Sequence, residues 1–290
     1  MNLTESFLTA LDSITANKMR SILTMLGVII GVAAVIALMA IGNGVTASVT
    51  GEINAIGTNL ITISPDMENS GGYPPLSLSD VEAIAANAPA VSDVAASVKG
   101  SQEVVYDGTA FATAVNGVTA NYFTVNNLDE FQAGDGLVQN DIDAKARVAV
   151  IGVDVVTELF GDQYPVGKSL KINGVEYEIV GVLESQSGSL AGNPDENVYI
   201  PITTAQSRLY NDRTRSGQPA VSTITAQAVD ETQAEAAVDQ ITETLREEHN
   251  IAVGDEDDFS TFSQTELLDT VNTITGTLTA FLGAIAAISL

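Results

Sequence analysis

From Ser21 to Gly51 the chain runs for 31 residues without an ionisable side chain, and Ile22–Ile41 within that run is dominated by Leu, Ile, Val, Ala, Met and Gly. About 20 helical residues at 1.5 Å each span roughly 30 Å, the thickness of a bilayer's hydrocarbon layer. The run therefore reads as a membrane-spanning helix that continues as a stalk. A cleavable signal peptide is the competing reading, because two basic residues precede an apolar stretch containing Ala37-Leu38-Met39-Ala40. Signal peptides have apolar regions of only about 7–15 residues, and this one is longer, which favours a retained anchor. A second uncharged run, Thr270–Leu290, becomes strongly apolar over Leu278–Leu290 and stops there. It reads as the start of a second membrane helix, truncated.

Orientation follows from basic residues near the membrane ends. Lys18 and Arg20 stand directly before the first helix, and the next basic residue after it is Lys99. The N-terminus is therefore expected in the cytoplasm. Residues 1–20 balance Glu5 and Asp12 against Lys18 and Arg20, so the remainder, with 9 basic and 35 acidic residues, carries the whole net charge of −26. The acidic bulk is expected outside the cell. Asn2–Ala16 spaces Leu3, Phe7, Leu8, Leu11 and Ile14 as on the apolar face of a helix lying along the inner leaflet.

Composition removes several chemistries. A chain this acidic lacks the basic surface that nucleic acid requires. With no cysteine and one histidine, His249, it has no disulfide, thiolate nucleophile or multi-His metal centre. A mean hydropathy of +0.21 beside that charge means the apolar and acidic residues occupy different stretches. An acidic excess with only five lysines resembles proteins that face high salt.

Between the membrane runs, Asn59–Ser64 reads as a strand halted by Pro65, and Glu68–Pro75 as a loop. Ser79 is placed to cap a helix through about Asn87, with Asp80 and Glu82 near its positive end. Val91–Val98, Glu103–Tyr106, Thr109–Val115 and Arg147–Ile151 read as strands, and Val153–Phe160 as a short helix. Ser169–Ile172 and Val175–Val182 form a hairpin about Asn173-Gly174, a pair suited to a type I′ turn. Gln186–Pro194 reads as a loop, Asn197–Ile200 as a strand, and Pro201 as the start of a helix reaching Leu209. Ser222–Val229 is a strand, Glu231–Glu248 a helix with Ala234, Val238, Ile241 and Leu245 on one stripe, and Phe259–Phe262 a last strand. The class is α+β, a β-α-β arrangement at each end of the region with a mostly β insert between.

The chemical motifs are weak. Gly161–Ser169 (GDQYPVGKS) imitates a phosphate loop, but five residues separate its glycines where four are needed, and Pro165 removes an N–H donor. Asp255–Asp258 (DEDD) lacks the spacing of a calcium loop. Arg208, Arg213 and Arg215 read as a solvated basic loop, and His249 as a polar residue at a helix end. Gly27 and Gly31 form a GxxxG pair that would allow close helix packing in the membrane. No catalytic, cofactor-binding or metal site is assigned.

Ordered matches then point to a family. Lys18–Gly44 (KMRSILTMLGVIIGVAAVIALMAIGNG) resembles the first membrane helix of MacB/FtsX-type ABC transporter permeases, and Ile56–Pro65 (IGTNLITISP) the strand after it. Leu159–Val182, Asp257-Asp258-Phe259 and Leu278–Leu290 resemble later family segments in the same order. The resemblance implies a periplasmic-core-type outer domain of two lobes. Residues 1–20 would be the cytoplasmic amphipathic segment and 21–51 the first membrane helix and stalk. Residues 52–115 and 221–265 would form a split βαβ porter-like lobe, 116–220 the mostly β inserted lobe, and 266–290 the truncated second helix. It also implies a non-catalytic plasma-membrane permease subunit, with two further helices absent here. The expected partners are an ABC ATPase, fused or separate, a second permease subunit in a homodimer or heterodimer, the lipid bilayer, and in some envelopes a periplasmic adaptor. ATP hydrolysis inside would move the outer domain, a coupling termed mechanotransmission. Gly42, Gly44 and Gly51 each weaken a rigid helix by about 1 kcal/mol relative to Ala, which tests the expected stalk. A membrane-anchored extracellular binding or sensor domain without an ATPase is the alternative, since it would need the same topology.

Overall fold

A computed structural model describes residues 17–56, 59–186 and 193–289, which fall into two units. The amphipathic reading of Asn2–Ala16 and most of the Gln186–Pro194 loop lie outside the described residues. One unit contains helix α1 (Lys18–Ile56) up to Gly51 and, from Leu268 onward, helix α8 (Gln264–Ser289). α1 is one continuous helix of 39 residues, and neither Gly42, Gly44 nor Gly51 interrupts it. Its apolar side chains cover it all round, with Ile22, Leu23, Ile29, Ile30, Ile36 and Ile41 among the exposed ones. Such a surface is stable only in an apolar medium or under a partner. Lys18–Val49 is the one described helix long and apolar enough to cross a membrane. α8 is polar and threonine-rich through Thr279 and turns apolar only in its last turns, so a second span is not separately established.

The two helices meet at a small polar contact. Thr46 Oγ1 and Thr275 Oγ1 are 2.9 Å apart, and Thr46 Oγ1 also donates to Gly42 O at 3.1 Å. A Cβ on Gly42 would stand 3.8 Å from Thr275 Cγ2, an ordinary contact distance. Small residues and hydroxyls are the usual means of close approach between membrane helices.

The second unit, Glu52–Leu267, is built on one ten-stranded sheet. β1 (Leu60–Pro65), helix α2 (Leu78–Asn87) and β2 (Val91–Tyr106) make a first split βαβ, because β1 and β2 both pair antiparallel with β9 (Thr223–Ala228), which lies between them. β9, helix α7 (Ala234–Glu248) and β10 (Phe259–Ser263) make the second, with β1 between its strands. The local order is β10-β1-β9-β2. Alternation along the strands sends Ile61, Ile63, Val94, Ala96, Ile224 and Ala226 to one core, which Ile84 of α2 and Ala237, Ile241 and Leu245 of α7 close. On the opposite face Leu60 and Ala95 pack with Val125 of the four-residue helix α3 (Tyr122–Val125).

β2 is 16 residues long and leaves this layer to enter a ring. It pairs with β3 (Thr109–Val118), β3 runs parallel to β8 (Val198–Pro201), and β8 is antiparallel to β5 (Val148–Ile151). β5 is parallel to β7 (Val175–Leu183), β7 is antiparallel to β6 (Ser169–Ile172), and β6 returns to β2 through Val104↔Ile172 and Val105↔Lys171. Six strands thus close a small barrel, which removes sheet edges, while β4 (Phe131–Gly134) extends β7 outward. Val104, Val115, Ile151, Leu170, Ile172, Tyr177 and Ile179 are fully buried and belong to the same cluster as the α2–α7 core. Outside, Phe123, Val150, Leu183 and Tyr199 form a second cluster with Phe131.

Several expectations need correction. The sequence divides Val91–Val98 from Glu103–Tyr106, yet β2 is continuous, because Tyr210 lies on Gly100 and bonds the strand in place. A Cβ on Gly100 would stand 2.6 Å from Tyr210 Cε1, and Tyr210 Oη donates to Gly100 O (2.9 Å) or Val115 O (2.8 Å). Ser77, not Ser79, caps α2, with Ser77 N donating to Asp80 Oδ2 at 2.7 Å. α3, β4 and helix α4 (Gln139–Asp143) are four or five residues long, too short for a periodic signal. Helices α5 (Val153–Phe160) and α6 (Ile202–Arg208) and the Asn173-Gly174 turn, with φ of 46° and 78°, stand where the sequence puts them.

Candidate functional site

The motif residues divide into those the fold gathers and those it leaves apart. Lys18 and Arg20 are exposed in the first turn of α1. A Cβ on Gly27 would meet nothing within 4 Å, so within this chain the helix contact is made at Gly42 and Thr46 instead.

The loop that imitates a phosphate cradle is committed to structure. Gly161 ends α5 at φ +55°. Gly167 N donates to Ile179 O at 2.8 Å, and Ile179 N donates to Lys168 O at 2.8 Å, so the backbone is already a ladder leading into β6. Lys168 Nζ donates to Gln163 Oε1 at 2.6 Å and stands 5.6 Å and 5.8 Å from the Tyr106 and Phe160 ring centroids. That places the cation on aromatic faces.

The acidic run 255–258 is likewise engaged. Asp257 pairs with Arg246, which also donates to Ala252 O at 2.8 Å. Asp258 Oδ1 is 2.7 Å from His249 Nδ1. Among the described residues no group of three or more His, Cys, Asp or Glu side chains could hold a metal ion. Arg213 donates to Gly217 O at 2.9 Å within its own turn, and Arg208 sits in the last turn of α6.

His249 is the residue the sequence undervalues. It is the C-cap of α7, its side chain only 9% exposed, set edge-on to Phe259 at 5.9 Å. Nδ1 faces Asp258, and Nε2 stands 3.5 Å from Asp80 Oδ1 in α2. Burial by itself lowers the imidazole pKa, but hydrogen bonds and charge from Asp80 and Asp258 outweigh it and raise it to about 9. The ring is therefore a cation at neutral pH, favourably placed at the negative end of α7. Asp80, His249 and Asp258 are 169 and 9 residues apart in sequence, so no spacing announces them. They wall an open cleft of about 850 Å³ that Tyr73, Arg215, Glu248, Asp255 and Glu256 also line. The arrangement can hold strands and helices together by charge.

Comparison with known proteins agrees with the architecture. The sequence profile of the MacB-like periplasmic core domain matches residues 21–244. The macrolide export ATP-binding/permease protein MacB of Chlorobium luteolum is 31% identical over 284 residues, covering 96% of this chain and 42% of that protein. The protein of the same name from Azoarcus sp. is 33% identical over 296 residues, 100% of this chain and 43% of its own length. The chain thus spans less than half the length of these relatives. The periplasmic region of MacB from Actinobacillus actinomycetemcomitans shares the fold, with a TM-score of 0.63 at 21% identity over 78% of this chain and 98% of that one. The extracellular domain of the noncanonic ABC-type transporter YknZ from Gram-positive bacteria also does, with a TM-score of 0.56 at 21% identity, over 71% of this chain and 100% of that one. With a profile match over most of its length and relatives above 30% identity across it, the chain belongs to the MacB-like periplasmic core domain family.

Proposed function

We propose that the chain is the anchoring and outer-domain part of an ABC transporter permease, in which ATP hydrolysis in the cytoplasm moves the domain outside. The observation that carries this reading is α1. Its 39 residues correspond to about 58 Å of helix, roughly twice the hydrocarbon layer, so the helix outlasts the bilayer. A helix of that length can carry motion beyond the membrane, whereas a simple tether has no need of one.

In this reading Lys18 and Arg20 hold the N-terminus in the cytoplasm of a plasma-membrane protein, and Glu52–Leu267 lies outside. α8 enters the membrane as the second helix. Residues 52–115 and 221–265 are the porter-like lobe, which includes the β10-β1-β9-β2 layer, and residues 116–220 the inserted one. Gly27, whose surroundings are open, packs with Gly31 against a membrane helix of the second permease subunit. The ATPase is either a separate chain or another part of the same polypeptide, as the relatives' names join ATP binding and permease. The cargo is an exported compound or protein, with macrolide export carried in those names, and an adaptor completes the assembly where the envelope has a second membrane. The acidic surface fits a saline exterior.

The test is purification of the whole protein with its ATPase in mild detergent. Turnover that falls when Glu52–Leu267 is removed supports coupling. A protein that binds no ATPase and carries no ATP-binding part refutes it and favours an anchored sensor.

A further inference from the structure

We propose that His249 is the pin of a charge latch that holds β10, and so the root of α8, against the α2–α7 layer, and that loss of its charge frees that strand. β10 is an edge strand, paired on one side only, to β1, over five residues. It runs without a break from Ser263 into Gln264 of α8. Its beginning is pinned from two directions. From the loop after β1, Asp66 N donates to Asp258 O at 2.8 Å and Asn69 Nδ2 to Asp257 O at 3.2 Å. From the end of α7, Arg246 holds Asp257 and His249 holds Asp258.

Of the two cations only the imidazole can lose its charge under conditions a folded protein meets. Charged, it donates toward Asp258 from Nδ1 and faces Asp80 from Nε2, joining the start of β10 to α2. Neutral, it has a single N–H and must turn a lone pair toward one of two carboxylates, at 2.7 Å or 3.5 Å. Both carboxylates are substantially buried, at 5% and 22% exposure, and would then repel each other through the ring that separated them.

The other ionisable groups around the cleft are Asp255 and Glu256 before β10, Glu248 and Arg246 on α7, Arg215 on the turn after α6, and Tyr73 on the loop after β1. Carboxylates and guanidinium groups as classes keep their charge from pH 7 to 10, whereas phenols begin to titrate near its upper end, so Tyr73→Phe is the control background. With the imidazole pKa near 9, the neutral fraction rises from about 1% at pH 7 to about 90% at pH 10. The latch deepens the permease reading by placing a control point where the outer domain joins the second membrane helix. Its test is read on β10 and so does not depend on ATPase coupling.

Residues 1–290 contain no cysteine, so Ser260→Cys, at an exposed position of β10, gives one site among them for a nitroxide. The line shape is recorded for the full chain in lipid nanodiscs on the Tyr73→Phe background. The expected result is an immobilised label at pH 7 and a mobile fraction at least fivefold larger at pH 10, with far-UV circular dichroism unchanged. His249→Lys keeps the charge and stays immobilised across the range; His249→Gln is mobile throughout with no pH dependence. An unchanged line shape in the parent, or the same alkaline rise in His249→Lys, overturns the proposal. If His249→Gln does not fold, the parent and the lysine variant decide it.

Discussion

Gly117→Ala is a small substitution for which the fold predicts a large effect. Gly117 lies on β3 opposite Val98 of β2 and Ile200 of β8, and α6 rests on its bare backbone. A Cβ there would stand 2.2 Å from Ala205 Cβ, 2.9 Å from Val98 Cγ1 and 3.3 Å from Ile202 Cα. Carbon atoms in good contact keep about 3.5–4.0 Å, so α6 would have to move by more than an ångström. Ala205 and Ile202 are fully buried, which leaves no free side to move into. Overpacking of this kind costs about 1–3 kcal/mol, and the shortness of the nearest contact puts this case at about 2–3. For a unit of this size each kcal/mol lowers Tm by roughly 2–4 °C, giving a fall of roughly 4–12 °C. Near-UV circular dichroism of the seven tyrosines follows the transition, since the chain has no tryptophan. Ala205→Gly removes the clashing methyl, so the double variant should regain half or more of the loss after the cost of Ala205→Gly alone is subtracted. A Gly117→Ala protein with unchanged Tm, or one that Ala205→Gly does not rescue, refutes this packing of α6 on β3.

Other outcomes follow from the same contacts. Tyr210→Phe removes the hydroxyl that holds Gly100 and Val115 together and should cost about 1–2 kcal/mol in denaturant unfolding, with local loss of amide protection at β2 residues 99–102. Lys168 is engaged with Gln163 and two rings, so equilibrium dialysis of this chain should show no ATP bound through 161–169, and Lys168→Ala should lower stability by about 1 kcal/mol rather than nucleotide affinity. His249 has a folded-state pKa raised above that of the unfolded chain, so its stabilisation is complete below about pH 6.5 and is lost as pH rises through about 9. The shift corresponds to at most about 3.4 kcal/mol, and solvent access at Asp258 reduces that to about 2. Unfolding between pH 6 and 10.5 should show this loss in the parent and not in His249→Gln.

The parts legible in the sequence are those with a period or a named turn. The 31-residue run, the apolar stripe of α7 and the Asn173-Gly174 hairpin carry their signals locally. What the sequence hides is long-range. β2 reads as two strands because Lys99-Gly100-Ser101-Gln102 is polar and lacks side-chain bulk, while the residue that straightens it, Tyr210, is 110 positions from Gly100. The ring of strands closes through only two pairs between β2 and β6, a contact that no local pattern encodes. At the cleft, Asp80 reads as a helix-dipole residue and Asp258 as one of four surface acids. Only the folded chain brings them to the two nitrogens of His249.

The most direct test of the whole account is the side of the membrane on which each part stands. Residues 1–290 contain no cysteine, so Asn17→Cys and Glu231→Cys each provide a single thiol within them, before α1 and in the turn after β9. Intact cells are treated with a membrane-impermeant maleimide, and a second sample after permeabilisation. The account predicts that the thiol at 231 reacts in intact cells and the thiol at 17 only after permeabilisation, in a protein that retains its N-terminal residues. Labelling at 17 in intact cells, protection at 231, or a mature chain that begins after Ala40 would contradict it.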